Sequence, residues 1–278
     1  MTSNRSLSAV NSGVDWPPFA GQSADVQSTP GRVAGVTGAA RGIGAATAVR
    51  LAEDGYDVPV LDLEAARCEA TVVAVSAVGR RCTAAAVDVA DEDSVTAAVQ
   101  QVVQDLGPPA VLVNNAGVLH DAPLAELAAT DWHRLLGVHL TGAFLMTRAA
   151  HRFMLEGGWG RIVLLSSTAA VGDRNRVHYS TSKAGLQGFT KALALELGGG
   201  GITVNCVAPG FTVTDMTRGL AAQRGIDFDQ LSRQRVDTIA VGRAGTPQDI
   251  AHAISFFADE RSGFVSGQVM YVAGGPVV

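Results

Sequence analysis

Tyr179 and Lys183 stand four apart in Tyr179-Ser180-Thr181-Ser182-Lys183, a spacing that puts both on one side of a helix. An ammonium held beside a phenol stabilises the phenolate and lowers the phenol pKa from its usual value of about 10. Such a phenol exchanges a proton with an alcohol or a carbonyl near neutral pH. Ser166 and Ser167 lie where the preceding strand should end, and a hydroxyl there can hydrogen-bond the same substrate oxygen. Ser180-Thr181-Ser182-Lys183 also spells S-x-x-K, a nucleophile motif of serine hydrolases, but its S-D-N and K-T-G partners are absent.

A second group of residues has the chemistry of a phosphate cradle. Thr37-Gly38-Ala39-Ala40-Arg41-Gly42-Ile43-Gly44 joins an apolar run to a helical stretch. Glycines there let a pyrophosphate approach bare N–H groups at a helix N-terminus, where the dipole favours negative charge. About twenty residues on, Asp62 closes a second apolar run, where a carboxylate can accept both ribose hydroxyls of an adenosine and repel a 2′-phosphate. Arg41 pulls the other way, because a guanidinium pairs with that phosphate. The balance predicts NAD over NADP. Asp88, closing the third run, is placed to meet an adenine edge, and Asn114-Asn115-Ala116-Gly117 closes the fourth.

The elements that must position these groups follow from the hydropathy pattern. Short apolar runs at Arg32–Thr37, Asp57–Leu61, Cys82–Val87, Ala110–Asn114, Arg161–Leu165, Ile202–Val207 and Gln268–Val272 read as strands. Between them, stretches such as Ile43–Asp54, Asp91–Leu106, Asp131–Glu156 and Ser180–Leu197 have helical length. This alternation predicts one α/β domain, a doubly wound parallel sheet with helices on both faces, over residues 31–278. Residues 1–30 are polar and aperiodic and read as a flexible extension, pinned at most by Trp16 and Phe19. In Ser180–Leu197, Leu186, Phe189, Leu193 and Leu197 form one stripe, with Ala184, Gly188, Ala192 and Leu195 opposite. The second stripe would meet either another subunit or the same chain.

Taken together, TGxxxGIG, NNAG, YxxxK, Pro209-Gly210-Phe211-Thr212-Val213-Thr214, Gly242-Arg243 and Gly274-Gly275 resemble the short-chain dehydrogenase/reductase family over about residues 31–275. The likeness is to its compact single-domain branch, which includes 3-oxoacyl-acyl-carrier-protein reductases. The resemblance implies a seven-stranded Rossmann sheet ordered 3-2-1-4-5-6-7 and hydride transfer between a nicotinamide and a carbonyl or secondary alcohol. It implies Tyr179 as acid/base and Lys183 as the group that lowers its pKa and holds the nicotinamide ribose. Gly38, Arg41, Gly42, Ile43, Gly44, Asp62, Leu63, Asp88, Val89, Asn115, Ala116, Gly117, Pro209, Gly210, Thr212 and Thr214 would line the cofactor, under a lid at 211–245. A homotetramer is implied, with the helices 131–156 and 180–197 at one interface. A non-catalytic dinucleotide-binding regulator is the alternative on the same fold, although both Tyr179 and Lys183 are present.

Two departures from the family pattern bear on mechanism. Where the family has an Asn in N-L-x-G, this chain reads His139-Leu140-Thr141-Gly142, and an imidazole there could pass protons through a water to Lys183. The usual thirteen-residue interval before the Tyr points to Ser166, whereas alignment on the Ser-Ser pair favours Ser167 and a loop one residue shorter.

Composition narrows the rest. The 278 residues are 47% hydrophobic and 17% charged, net −5, with no basic footprint for nucleic acid or an anionic lipid surface. No apolar stretch is long enough to span a bilayer, and residues 1–10 show no secretory signal. Cys68, Cys82 and Cys206 are odd in number and far apart, so free thiols in a cytoplasm are expected, with no metal site. An acidic carrier-protein partner would need cations near the site mouth. Glu156–Gly160 and Gly198–Gly201 supply none, and Arg218, Arg224, Arg233 and Arg235 of the lid, mixed with Asp215, Asp227, Asp229 and Asp237, read as a solvated surface.

Overall fold

A computed structural model describes residues 31–277. The extension 1–30 with Trp16 and Phe19 lies outside the described residues. Seven parallel strands form one sheet: β1 (Val33–Thr37), β2 (Val58–Asp62), β3 (Cys82–Ala86), β4 (Pro109–Asn114), β5 (Gly160–Leu165), β6 (Ile202–Pro209) and β7 (Val269–Val272). Their order is β3-β2-β1-β4-β5-β6-β7, as expected.

Successive side chains of a strand point to opposite faces, and here both faces are dry. Leu112, Ile162 and Leu164 pack with Met146, Leu186 and Leu197 on one side. Val111, Val113, Val163 and Leu165 pack with Leu51, Ile254 and Phe257 on the other. The first layer holds α3 (Glu92–Asp105), α5 (Gly142–Glu156) and α6 (Val177–Leu197). The second holds α1 (Gly42–Glu53), α2 (Glu69–Ala77) and α9 (Pro247–Ala258). Each such Val or Leu contributes about 1.5–3 kcal/mol by leaving water, which is why the strands read as unbroken apolar runs.

The helical stretch expected at 131–156 is not continuous. It divides into α4 (Ala129–Leu136), one π-helical turn at Gly137–Thr141, and α5. The Gly142 N–H reaches back five residues to the Gly137 carbonyl. The extra residue of a π-turn rotates one side chain relative to the regular helix, and the rotated segment carries His139, which is buried. Helix α6 also starts earlier than the spacing suggests, at Val177, so Tyr179 lies inside its first turn. Its stripe of Ala184, Gly188, Ala192 and Leu195 is exposed in the chain, Leu195 at 89%.

The segment 211–245 contains α7 (Asp215–Gln223) and α8 (Phe228–Val236), neither of which stands out in the sequence. Both are short and mixed in charge. Thr214 caps α7 by accepting the Thr217 N–H, and Asp227 caps α8 by accepting the Gln230 N–H. The two ends of the segment are tied together, with Val213 N–H on the Gly245 carbonyl and Gly245 N–H on the Phe211 carbonyl.

Candidate active site

The order of the sheet reverses between β1 and β4, and the crevice outside the carboxyl ends of strands at such a point is where an α/β fold binds ligands. A cleft of about 200 Å³ opens there. It brings together Ile43, Asn115, Gly117, His139, Ser166, Ser167, Tyr179, Lys183, Pro209, Gly210, Thr212 and Thr214.

The phosphate cradle is built from unusual constraints. At Gly44 a Cβ would sit 2.1 Å from the Gly38 carbonyl oxygen, so only glycine lets α1 start so close to the turn. Asn115 holds the turn from the other side, donating from Nδ2 to the carbonyls of Thr37 at 2.8 Å and Gly38 at 3.0 Å. The Thr37 hydroxyl accepts the N–H groups of Asn115 and Ala116. Unlike α3, α7, α8 and α9, helix α1 has no side-chain cap and no acid in its first turn. Its first N–H groups therefore lack an anionic or side-chain acceptor, which suits a pyrophosphate.

Asp62 leans toward this turn. Its Oδ2 accepts the Ala40 N–H at 3.1 Å and its Oδ1 the Leu63 N–H at 2.9 Å. Both oxygens keep lone pairs for ribose hydroxyls. Arg41 is directed elsewhere, 3.9 Å from Asp215 of the lid with both side chains exposed. Leu63 is 60% exposed beside Asp62. Asp88 is exposed and accepts the Ala90 N–H, closing a turn with one oxygen to spare. Val89 differs from expectation: its side chain is buried in the core against Gly142 rather than open to the crevice. The cradle thus fits a dinucleotide on its own geometry.

At the reacting end, the two serines separate. Ser166 is buried and donates its only proton to the Lys183 carbonyl at 2.8 Å, while accepting from Gln187. The expectation that Ser166 donates to the substrate oxygen is corrected on that ground: its proton is spent on the α6 backbone. Ser167 instead lines the cleft beside Tyr179, close enough to favour its phenolate, and accepts the Ala169 N–H at 3.1 Å.

Lys183 is buried and donates from Nζ to the Leu165 carbonyl at 2.8 Å, with Nζ 5.5 Å from the Tyr179 ring centre. Burial pushes its pKa down to about 8. The expected lowering of the phenol by Lys183 is not what this state shows. Burial raises the Tyr179 pKa above its ordinary value, opposed by the nearby Ser167 hydroxyl and the Arg176 charge.

His139 has both ring nitrogens engaged. Nε2 accepts the Val118 N–H at 2.9 Å, and Nδ1 lies 2.8 Å from Ser182 Oγ. Burial and the Lys183 charge hold its pKa well below the usual imidazole range. With no nitrogen left for a water toward Lys183, the expected relay gives way to a positioning role. A Cβ at Gly117 would lie 3.0 Å from Nε2, so the glycine of NNAG makes room for this ring.

Sequence reasoning missed Ser182, read only as a spacer in YxxxK, and it missed Asp121. The Asp121 carboxylate takes Arg176 Nε at 2.6 Å on one oxygen and Arg224 on the other. Arg176 also holds Asp173 at 2.7 Å. Burial pushes the Asp121 pKa up, but the two arginines more than reverse this and leave it low. No local pattern announces the cluster, because its members come from three separate segments.

The comparisons with known proteins agree with this geometry. A family model described as enoyl-(acyl carrier protein) reductase matches residues 38–276. The chain is 44% identical over 247 residues to the (2S)-[(R)-hydroxy(phenyl)methyl]succinyl-CoA dehydrogenase subunit BbsD of Thauera aromatica, covering 88% of this chain and 96% of that one. It is 36% identical to the 3-oxoacyl-[acyl-carrier-protein] reductase FabG of Aquifex aeolicus, covering 88% and 97%. A solved structure of NAD+-bound xylitol dehydrogenase superposes with a TM-score of 0.84 at 32% identity, covering 88% of this chain and 99% of that one. With its sheet order, its Tyr179–Lys183 pair and these relatives in agreement, the chain belongs to the short-chain dehydrogenase/reductase family and is an oxidoreductase.

Proposed function

We propose that the protein is an NAD-preferring reductase or dehydrogenase of acyl thioesters that interconverts a carbonyl and a secondary alcohol. The observation that carries this reading is one cleft that gathers Ser167, Tyr179 and a buried Lys183, with Nζ 5.5 Å from the Tyr179 ring, together with Thr212, Thr214 and the NNAG wall. When bound, the nicotinamide supplies or accepts the hydride. Ser167 orients the substrate oxygen, and Tyr179 gives it a proton or takes one. Its raised pKa keeps the phenol protonated at neutral pH, the form that reduction of a carbonyl needs. Lys183, with a pKa near 8, passes between charged and neutral close to working pH and is suited to restore that proton.

Thioesters are chosen because two relatives are named for them, one for a hydroxylated succinyl-CoA and one for a 3-oxoacyl group on a carrier protein. NAD is favoured by Asp62 facing the cradle and Arg41 turning to Asp215. A homotetramer, or at least a dimer, is supported by the exposed stripe on α6 and by Phe144, 44% exposed on α5. A cytoplasmic setting is supported by three free cysteines, two of them buried, and no described helix is long and apolar enough to cross a membrane. The test is oxidation of NADH with 3-oxoacyl thioesters. Turnover that Tyr179→Phe abolishes while NADH still binds sustains the reading. Tight NADH binding with no turnover on any ketone would make the protein a dinucleotide-binding regulator instead.

A further inference from the structure

Charged side chains around the cleft are nearly all accounted for. Arg176 is neutralised by Asp121 and Asp173. Lys183 is buried behind Tyr179 and bonded to Leu165. Three of the four lid arginines that the sequence assigns to a solvated surface fit that reading in part: Arg218 stacks over Phe228 at 4.3 Å, Arg224 is bound to Asp121, and Arg233 is exposed outside the cleft.

Arg235 differs. It is exposed like Arg233, but from the last turn of α8 it lines the cleft together with Phe211, Met216, Leu220 and Leu231. Among the described residues its guanidinium has no hydrogen bond and no carboxylate partner. The lid therefore brings one uncompensated cation to a largely apolar wall, in the same cleft as Tyr179 and Ser167. A guanidinium presents a fork of donors matched to a carboxylate, and a substrate bound in the cleft would cover part of it from water. The cofactor's pyrophosphate is assigned to the start of α1, and the phosphates of CoA are separated from the thioester by the long pantetheine arm, which leaves the acyl chain as the carrier of an anion for the α8 side of the cleft.

We propose that Arg235 selects substrates bearing a carboxylate on the acyl chain, so that the physiological ketone derives from a dicarboxylic acid. This rests on the reaction proposed above and adds the substrate's charge. The pairing holds the chain by its distal end and sets which carbonyl reaches Tyr179.

The test compares three ketones that differ in one feature each: 3-oxohexanoyl and 3-oxoadipyl thioesters of N-acetylcysteamine, and 3-oxohexanoyl-CoA. Wild type should favour the 3-oxoadipyl compound over its uncharged twin by about 10- to 100-fold in kcat/KM. Arg235→Gln should remove most of that ratio, chiefly through KM. Arg235→Lys should keep part of it, and Arg233→Gln, outside the cleft, should leave it intact. Dissociation constants measured on the Tyr179→Phe protein with NADH bound give the same comparison without turnover. If the acid binds selectively there but none of the ketones is reduced by wild type, the proposed reaction fails and the role of Arg235 stands. Equal treatment of acid and neutral twin, failure of the acid to bind, or Arg235 sensitivity seen only with the CoA thioester overturns the inference.

Discussion

His139 Nδ1 meets Ser182 Oγ at 2.8 Å, and the Ser182 hydroxyl is already donated to the Tyr179 carbonyl. The imidazole must then carry its proton on Nδ1, which agrees with Nε2 accepting from Val118. One neutral ring thus links the wall after β4 to the turn that carries Tyr179. In His139→Leu the Val118 N–H loses its acceptor, at a cost of about 1–3 kcal/mol. That corresponds to a melting temperature lower by about 2–4 °C per kcal/mol for a chain of this size. kcat should fall as well, while the pH profile keeps its shape, because a ring that stays neutral adds no inflection. His139→Asn keeps a polar atom near Nδ1 and should recover part of both losses. A Leu variant with wild-type melting and turnover would show that the link positions nothing.

Ser166 and Ser167 make a second, sharper contrast. Ser167→Ala removes a hydroxyl that shares the cleft with Tyr179 and is free to meet the substrate oxygen, so kcat should fall by at least tenfold, equivalent to about 1.4 kcal/mol, with NADH affinity kept. Ser166→Ala leaves the Lys183 carbonyl without that donor, and should lower stability by about 1 kcal/mol with a smaller effect on turnover. Reversal of the two effects in steady-state kinetics and urea unfolding would return the assignment to Ser166.

Cofactor choice turns on Asp62. Asp62→Ala should raise affinity for NADPH and weaken that for NADH, narrowing or inverting the preference. Arg41→Gln should change NADH binding little, since its nearest charge is Asp215 at 3.9 Å on an exposed surface. Fluorescence titration of both cofactors against both variants decides. Tighter binding of NADPH by wild type would mean that Asp62 does not meet the ribose.

Much of the fold is legible in the sequence because β1, β2, β4, β5 and β6 are buried on both faces and so read as apolar runs, while the edge strands β3 and β7 are only partly buried. The glycine spacing of the cradle from Gly38 to Gly44 is equally local, which is why residue types and intervals suffice to recognise it. What escapes is set by distance and by register. Asp121 and Arg224 are 103 residues apart, and nothing near either predicts the other. The π-turn leaves the apolar period of 129–156 almost unchanged, so the rotation of His139 toward Val118 and Ser182 has no signature. Ser166 and Ser167 differ by one position, which in a strand decides the face, and sequence spacing alone points to both.

The Asp121 clamp should govern the lid. Arg224→Gln frees α7 from the wall after β4 without disturbing Arg176, so the segment 211–245 should be cut faster by protease and KM for the ketone should rise. Asp121→Asn weakens both contacts and, leaving Arg176 with Asp173 alone, should cost more stability than Arg224→Gln. Equal cleavage rates in wild type and Arg224→Gln would show that the ion pair does not hold the lid.

Lys183 links catalysis to stability through its buried charge. Its pKa falls from 10.5 to about 8 in the folded protein, so between those values the unfolded chain holds a proton that the native one has released. Stability therefore rises with pH across this window, by about 3 kcal/mol when complete, and the penalty is fully present below pH 8. Lys183→Met removes the titration together with activity. Measured by urea unfolding, the variant's advantage over wild type should be largest at pH 7.5 and shrink steadily towards pH 10.5. Comparing the two proteins at each pH cancels the other lysines and tyrosines, which titrate in both. A difference that stays constant from pH 7.5 to 10.5 would mean that the ammonium reaches water in the folded state, and the proton-restoring role assigned to Lys183 would lose its physical basis.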